Sequence, residues 1–264
     1  MKEKILSHLR AECPWRDTLY WYPETDSTNT QAKLLAAKGA PHGTVLIAGQ
    51  QTGGRGRMGR TFQSPPGVGV YLSVILRPDC MPSELMHLTC AAGVAMMEAV
   101  EKASGIRPQI KWINDLVVGS KKLGGILTEM SVEHGTVQYA VVGIGINCLQ
   151  TPGDFPPEIT EIATSLSQAA GHPVPPEKLA AAMVEALWHM DRMLLEDKTR
   201  IMAAYRESCI TLGRQVQVVR GDTIRKGRAV DLDEDGGLII TYPDGSSEVV
   251  SSGEVSVRGM YGYV

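Results

Sequence analysis

QIKWINDLVVGSKKLGGILTEMSVEHGTVQYAVVGIGI, residues 109–146, holds three strand-like runs: QIKWIN (109–114), KLGGILTEMSV (122–132) and TVQYAVVGIGI (136–146). Short polar turns separate them, Asn114-Asp115 through Ser120 and Glu133-His134-Gly135. Connections that short join antiparallel neighbours, because a parallel pair needs a longer crossover. The stretch therefore predicts an α+β domain around a central mixed, mostly antiparallel sheet with helices.

Upstream, VGVYLSVIL (68–76) is a strand with Val68, Val70, Leu72, Val74 and Leu76 alternating onto one face, and TVLIAG (44–49) is a strand running into a glycine-rich loop. Pro82-Ser83 starts a long helix, Glu84 to about Ser104, whose Leu85, Leu88, Ala92, Met96 and Ala99 form a core stripe and which Gly105 stops. STNTQAKLLAAKG, from Ser27, reads as a short helix that Ser27 or Thr28 can cap and Gly39 can end. Residues 1–25, with Pro14 and Pro23, have little periodicity and are too few for an independent helix-turn-helix domain. Downstream, the Pro-rich TPGDFPPE and HPVPPEK lead into helices across 177–208, the first with Leu179, Met183, Leu187 and Met190 on one side. From Gly213 the texture changes to short runs, VQVV, RAVDL, LIITY, EVVS and VSVRG, punctuated by Gly236-Gly237 and Asp244-Gly245. That is a small β-barrel or folded-over sheet, so the chain divides into 1–212 and 213–264.

A chain of 264 residues, 43% hydrophobic, can bury a sizeable core. Its net charge of −3 and pI near 6.1 disfavour a dedicated nucleic-acid binder. No segment approaches the roughly 18–20 apolar residues of a membrane span, and no signal peptide opens it, so a cytoplasmic protein is expected. Cys13, Cys80, Cys90, Cys148 and Cys209 stand far apart, without a CxxC pair or clustered histidines, and read as small buried apolar residues in a reducing compartment.

Charge is distributed unevenly. Ser27 through Pro78 contains no acid, yet carries Lys33, Lys38, Arg55, Arg57, Arg60 and Arg77. Three of these arginines lie in GGRGRMGR (53–60), where glycine admits a ligand close to the backbone and arginine grips carboxylate or phosphate. An isolated Arg/Gly stretch is usually a solvated loop; the absence of compensating acids favours a small-anion clamp here. Gly54-x-Gly56-x-x-Gly59 spells the dinucleotide pattern, but Thr61 through Gly67, with Pro65 and Pro66, cannot continue as a regular helix, so the Rossmann reading fails. No GxxxxGK[ST] exists in the chain.

Gln51-Thr52-Gly53-Gly54-Arg55-Gly56-Arg57-Met58-Gly59-Arg60 resembles the signature loop of biotin protein ligases. Three further blocks agree in order: Asp26-Ser27-Thr28-Asn29; Lys111-Trp112-Ile113-Asn114-Asp115 with Lys122-Leu123-Gly124-Gly125-Ile126-Leu127; and Gly143-Ile144-Gly145-Ile146-Asn147. The resemblance covers about residues 20–210, and the small β unit fits as well. One departure is Ile113, where the family usually has proline.

The resemblance implies a class II synthetase-like catalytic domain with an SH3-like β-barrel, in the short form without an N-terminal DNA-binding domain. It implies that the chain forms biotinyl-5'-AMP from biotin and ATP with Mg2+, then transfers biotin to a lysine of a biotin carboxyl carrier protein. Ser27, Thr28, Asn29 and Gln51 would surround the ureido ring, whose N–H groups and carbonyl suit hydroxyl and amide partners. Arg55, Gly56 and Arg57 would fold across biotin and adenylate, and Lys122, with Gly124, would stand near the biotin carboxylate and α-phosphate. Arg57 and Lys122 would be the catalytic cations. Arg57, Arg60, Lys111, Asn114 and Asn147 would contact ATP, and Asp115 the metal. Lipoate or octanoate ligases of the same superfamily are the nearest alternative, and a nucleic-acid binder is the alternative from another class. Oligomeric state is left open, a homodimer being one option.

Overall fold

The computed structural model describes residues 1–251 and the backbone of 256–259. A seven-stranded sheet is built from β1 (Leu19–Tyr22), β2 (Thr44–Ala48), β3 (Gly69–Leu76), β4 (Gln109–Lys111), β5 (Asp115–Val118), β6 (Lys121–Glu133) and β7 (Thr136–Asn147), in the order β1-β2-β3-β7-β6-β5-β4. Only β1 and β2 pair parallel. Between them the chain makes the required crossover through α2 (Thr28–Ala37), after α1 (Lys2–His8) has packed at the start of the chain. The helices α3 (Leu88–Ser104), α4 (Leu166–Ala170), α5 (Pro176–Met193) and α6 (Lys198–Ser208) complete this part. The mixed, mostly antiparallel sheet expected from the short turns is present.

Three local expectations are corrected. The run 114–120 is not a turn: Asp115–Val118 pairs with both β4 and β6, so four strands rather than three fill the region. β3 does not bury one face but both, every residue from Gly69 to Leu76 being inaccessible. Leu72, Val74 and Leu76 join the main core with α3 and α5, while Ile75 joins Ala32, Ala36, Leu46 and Val141 under α2. Covered on both faces, a strand needs no polar side, and alternation loses its meaning. The long helix begins at Leu88, preceded by a separate 3-10 turn over Pro82–Leu85. Residues 1–25, too few for an independent helix-turn-helix domain, supply α1 and β1.

The C-terminal part is an antiparallel sheet of β8 (Gln215–Arg220), β9 (Thr223–Leu232), β10 (Leu238–Thr241), β11 (Ser247–Val250) and β12 (Ser256–Gly259), ordered β11-β10-β9-β8-β12. Its Val216, Val218, Leu238 and Ile240 belong to the same continuous apolar cluster as α3 and α5. The β9–β10 turn is held by Asp233, whose Oδ1 accepts from the N–H groups of Asp235 (2.9 Å) and Gly237 (2.7 Å). Gly236 there has φ +88° and lies so close to Cys90 that a Cβ would come 2.6 Å from the sulfur. Its carbonyl accepts a buried 2.8 Å hydrogen bond from Trp112 Nε1.

The backbone around Trp112 is pinned from the same side. Trp112 N donates to Thr211 Oγ1 (2.9 Å), Tyr205 Oη donates to Ile113 O (3.0 Å), and Ile210 N donates to Ile110 O (2.9 Å). The Trp112–Ile113 peptide is cis. Trp112→Phe keeps an aromatic side chain but trims the buried indole and leaves the Gly236 carbonyl without its donor, the lost hydrogen bond alone costing about 1–3 kcal/mol. Urea denaturation is expected to give at least that loss in one cooperative transition seen alike by probes in both parts. Two separated transitions would contradict the shared core.

Candidate active site

Period-two geometry prepares a hollow on the α2 side of the sheet. Ser73, Gly143 and Leu127 stand in register across β3, β7 and β6, and Tyr71, Gly145 and Gly125 form the next row. Glycine is required at two of these places by close approach. A Cβ on Gly143 would lie 1.8 Å from Asn29 Oδ1, and one on Gly145 would lie 2.4 Å from the Phe62 ring. Above this floor opens a cavity of about 550 Å³, walled by the α2 N-terminus, the 51–65 loop, the β4–β5 turn and the segment 154–163.

One end is neutral and rich in hydrogen-bonding groups. Ser27, Thr28 and Asn29 are all buried there, with Gln51 beside them. Ser27 occupies the N-cap position of α2, but its hydroxyl makes no cap bond. Gln51 does that work from a distant segment: its Oε1 accepts from Thr28 N at 2.8 Å and from the Thr28 hydroxyl at 3.1 Å, while its Nε2 donates to Ser64 Oγ at 2.9 Å. The buried Ser73 hydroxyl lies 2.8 Å from Thr28 Oγ1 and 2.6 Å from Asn29 Oδ1.

The other end is cationic. The arginine loop is a narrow hairpin in which Gly56 N donates to Arg60 O (2.7 Å) and Phe62 N to Gly54 O (2.9 Å), with Met58 in the left-handed region at its tip. Arg57 reaches across to the β4–β5 turn and donates to Asn114 Oδ1 at 3.1 Å; Asn114 in turn donates to Ile126 O at 3.0 Å. Burial lowers the pKa of Arg57, and the carboxylate of Asp115 opposes that shift. A desolvated guanidinium gains from any anion that enters. Lys122 Nζ sits 2.7 Å from Asp115 Oδ1. Its backbone pairs with the 162–164 segment, Lys122 N donating to Ile162 O and Thr164 N to Lys122 O. Asn147 donates to Thr164 O at 3.0 Å and accepts from Gln150 Nε2 at 3.2 Å.

Arg55, Arg57, Arg60, Lys111 and Lys122 line the same cavity as Asp115 and Asp154, a cationic excess. Ser27, Thr28, Asn29, Gln51, Gly56, Asn114 and Asn147 share the same cavity, so the structure brings the sequence-predicted residues together. Gly124 is the exception. It lies outside the lining, where a Cβ would meet Gly145 O at 2.4 Å; Gly125 is the glycine that faces the cavity. The acid-free stretch also divides. Lys33 pairs with Glu129, Lys38 is exposed, and Arg77 donates to Ala36 O and Ala40 O at the end of α2. Only its three loop arginines line the cavity. Phe62, Gln150, Ile162 and Gln217 line it without having been singled out, and of these only Phe62 adjoins a motif.

All five cysteines are buried and free. Burial pushes the Cys148 thiol, next to Asn147, up to about 12, which excludes it as a thiolate nucleophile at neutral pH. No histidine or cysteine lines the cavity among the described residues. A cavity with a cationic end and a neutral end suits an acid with a polar uncharged head, its carboxylate laid against a phosphate.

Such a site belongs to the enzymes that activate carboxylic acids on a nucleotide, and similarity to known proteins points to one group of them. Residues 21–147 match the biotin/lipoate A/B protein ligase family, and residues 211–258 match the biotin protein ligase C-terminal domain. The chain is 36% identical over 238 residues to the bifunctional ligase/repressor BirA of Bacillus subtilis, covering 89% of this chain and 72% of that protein. It is 32% identical to the biotin–[acetyl-CoA-carboxylase] ligase of Mycobacterium tuberculosis, covering 88% and 86%. The biotin protein ligase of Aquifex aeolicus, solved with biotin and ATP, superposes with a TM-score of 0.77 at 30% identity, covering 92% of this chain and 99% of that one. The chain belongs to the biotin/lipoate A/B protein ligase family, among its biotin protein ligases. Among the described residues no helix is long and apolar enough to cross a membrane.

Proposed function

We propose that this chain makes biotinyl-5'-AMP from biotin and ATP, and passes the biotinyl group to a lysine of a carboxyl carrier protein in the cytoplasm. One observation carries the reading: the neutral hydroxyl-and-amide pocket and the cationic wall are two ends of a single cavity. In the first step a biotin carboxylate oxygen attacks the α-phosphorus, the bond to the β-phosphate breaks and pyrophosphate leaves. Two such anions about 4 Å apart repel by roughly 4 kcal/mol at an effective dielectric of 20. Arg57 and Lys122 offset that repulsion and fix the approach, with Lys111, Arg60, Asn114 and Asn147 as the remaining nucleotide contacts. In the second step the carrier amine attacks the acyl carbon and AMP departs, so the enzyme needs no nucleophile of its own. That agrees with a lining free of histidine and cysteine among the described residues.

Among the described residues no cluster of three or more carboxylate, histidine or cysteine groups forms a metal cage. Asp115 in the cavity wall fits a magnesium ion carried in by the phosphates, which needs only one or two protein carboxylates. It would hold the ion there, where the metal supplies charge neutralisation for the departing pyrophosphate.

Ser27, Thr28, Asn29 and Gln51 receive the ureido head, and the 53–60 hairpin, with Arg55, Gly56 and Arg57, closes over the adenylate and keeps water out. Arg57→Gly removes the strut to Asn114. The variant is expected to release adenylate and label bystander lysines, read by streptavidin blotting of a mixed protein sample; labelling confined to the carrier would refute the closure. The function itself is tested by acid-dependent pyrophosphate exchange with biotin, lipoate and octanoate in turn. Biotin is expected to support exchange at concentrations where the other two do not. Preference for lipoate would transfer the protein to the neighbouring activity.

A further inference from the structure

We infer that Glu129, held by Lys33, is a positioning residue for specificity: it fixes the hand of the Asn29 amide so that the pocket offers an acceptor, not a donor, to an N–H group of a cyclic urea. The inference rests on the biotin reading above. Asn29 Nδ2 has two N–H bonds, and both are spent on the protein: one on Glu129 Oε2 at 3.0 Å, the other on Leu127 O at 3.2 Å. Its oxygen is therefore turned toward Ser73, in the space that Gly143 leaves open.

A flipped amide would set Asn29 Oδ1 against a carboxylate and a carbonyl, three acceptors with no proton among them. Glu129 stays ionised to enforce this. Burial favours its neutral form, but the bonds from Lys33 (2.6 Å) and Asn29 outweigh burial and hold its pKa below the usual value.

Proton counting then gives the polarity of the pocket. Gln51 is locked by Ser64, so its oxygen takes the Thr28 hydroxyl proton. Ser73 has one proton to divide between Thr28 Oγ1 and Asn29 Oδ1. Both oxygens keep acceptor capacity, side by side at the α2 N-terminus. A cyclic urea carries one N–H donor on each side of its carbonyl, and two oxygens that both lie within 2.8 Å of Ser73 Oγ form a single acceptor edge for one of them. A dithiolane or alkyl head has none, so this orientation device would be without purpose for those acids.

The test uses the full chain and pyrophosphate exchange, with biotin and with a biotin analogue methylated on one ureido nitrogen. Glu129→Met, which removes the acceptor, is expected to raise the KM for biotin about tenfold while leaving the KM for ATP unchanged. It is also expected to narrow the preference for biotin over the methylated analogue, because a released Asn29 can turn. Glu129→Gln, which keeps a carbonyl acceptor, should recover most of both effects. Lys33→Met, which only loosens Glu129, should shift both in the same direction but less, and serves if Glu129→Met does not fold. An unchanged preference in Glu129→Met and Lys33→Met, or a rise in both KM values together, would overturn the inference. Wild-type protein that exchanges pyrophosphate with lipoate but not biotin would overturn the functional reading instead.

Discussion

Lys122→Ala is expected to lower biotin-dependent pyrophosphate exchange by about 10²–10³-fold, the scale seen when one preorganised charge partner of a transition state is removed. The lysine lies at the start of β6, with its backbone fixed by Ile162 and Thr164 and its ammonium 2.7 Å from Asp115. Deleting it does two things at once. It removes a cation from the place where carboxylate and phosphate meet, and it leaves the Asp115 charge facing them. The Lys122 side chain is about 30% exposed and that of Asp115 17%, so the pair is partly buried and its loss also lowers stability somewhat. Collapsed exchange in a protein that remains folded at the assay temperature is the expected combination. Exchange within threefold of wild type would remove Lys122 from the chemistry.

The second large effect comes from the floor. Gly143→Ala adds one carbon that would sit 1.8 Å from Asn29 Oδ1, and Asn29 is buried and bonded on three sides. It cannot swing away without orphaning those partners. Biotin affinity is expected to fall by more than about a hundredfold, with roughly 1–3 kcal/mol of stability lost to overpacking. ATP affinity should survive, since the cationic wall lies elsewhere in the cavity. Calorimetric titration with each ligand separates these outcomes. Biotin binding that withstands the substitution would place the head group away from Asn29.

The site was legible where its residues are contiguous. The 26–29, 51–60, 111–115 and 143–147 blocks each arrive on one loop or strand end, and all converge on the cavity. Glu129 and Ser73 were not, because nothing local marks them: Ser73 sits in an apolar strand, and Glu129 alternates along β6 like any edge acid. Gln217 reaches the cavity only through the docking of the second sheet. Gly124 and Gly125 form an identical dipeptide in sequence, and only strand pairing decides which one faces the ligand. The fold was legible through its longer strands and the 133–135 turn. Asp115–Val118 escaped because four residues flanked by Asn114 and Gly119 are too short to express a period. The acid-free stretch was a real signal read too broadly, since counting charge cannot distinguish an arginine that binds ligand from one, Arg77, that closes a helix.

The contact of Gly236 with Cys90 and Trp112 has an evolutionary consequence. Residues contributed by α3, by the β4–β5 turn and by the β9–β10 turn meet there within van der Waals distance. Recombination that grafts a foreign C-terminal module onto this chain must carry matched residues at all three, or the graft will wedge the two pieces apart. Functional hybrids among relatives should therefore be those whose crossover preserves this three-way joint, whatever their identity elsewhere.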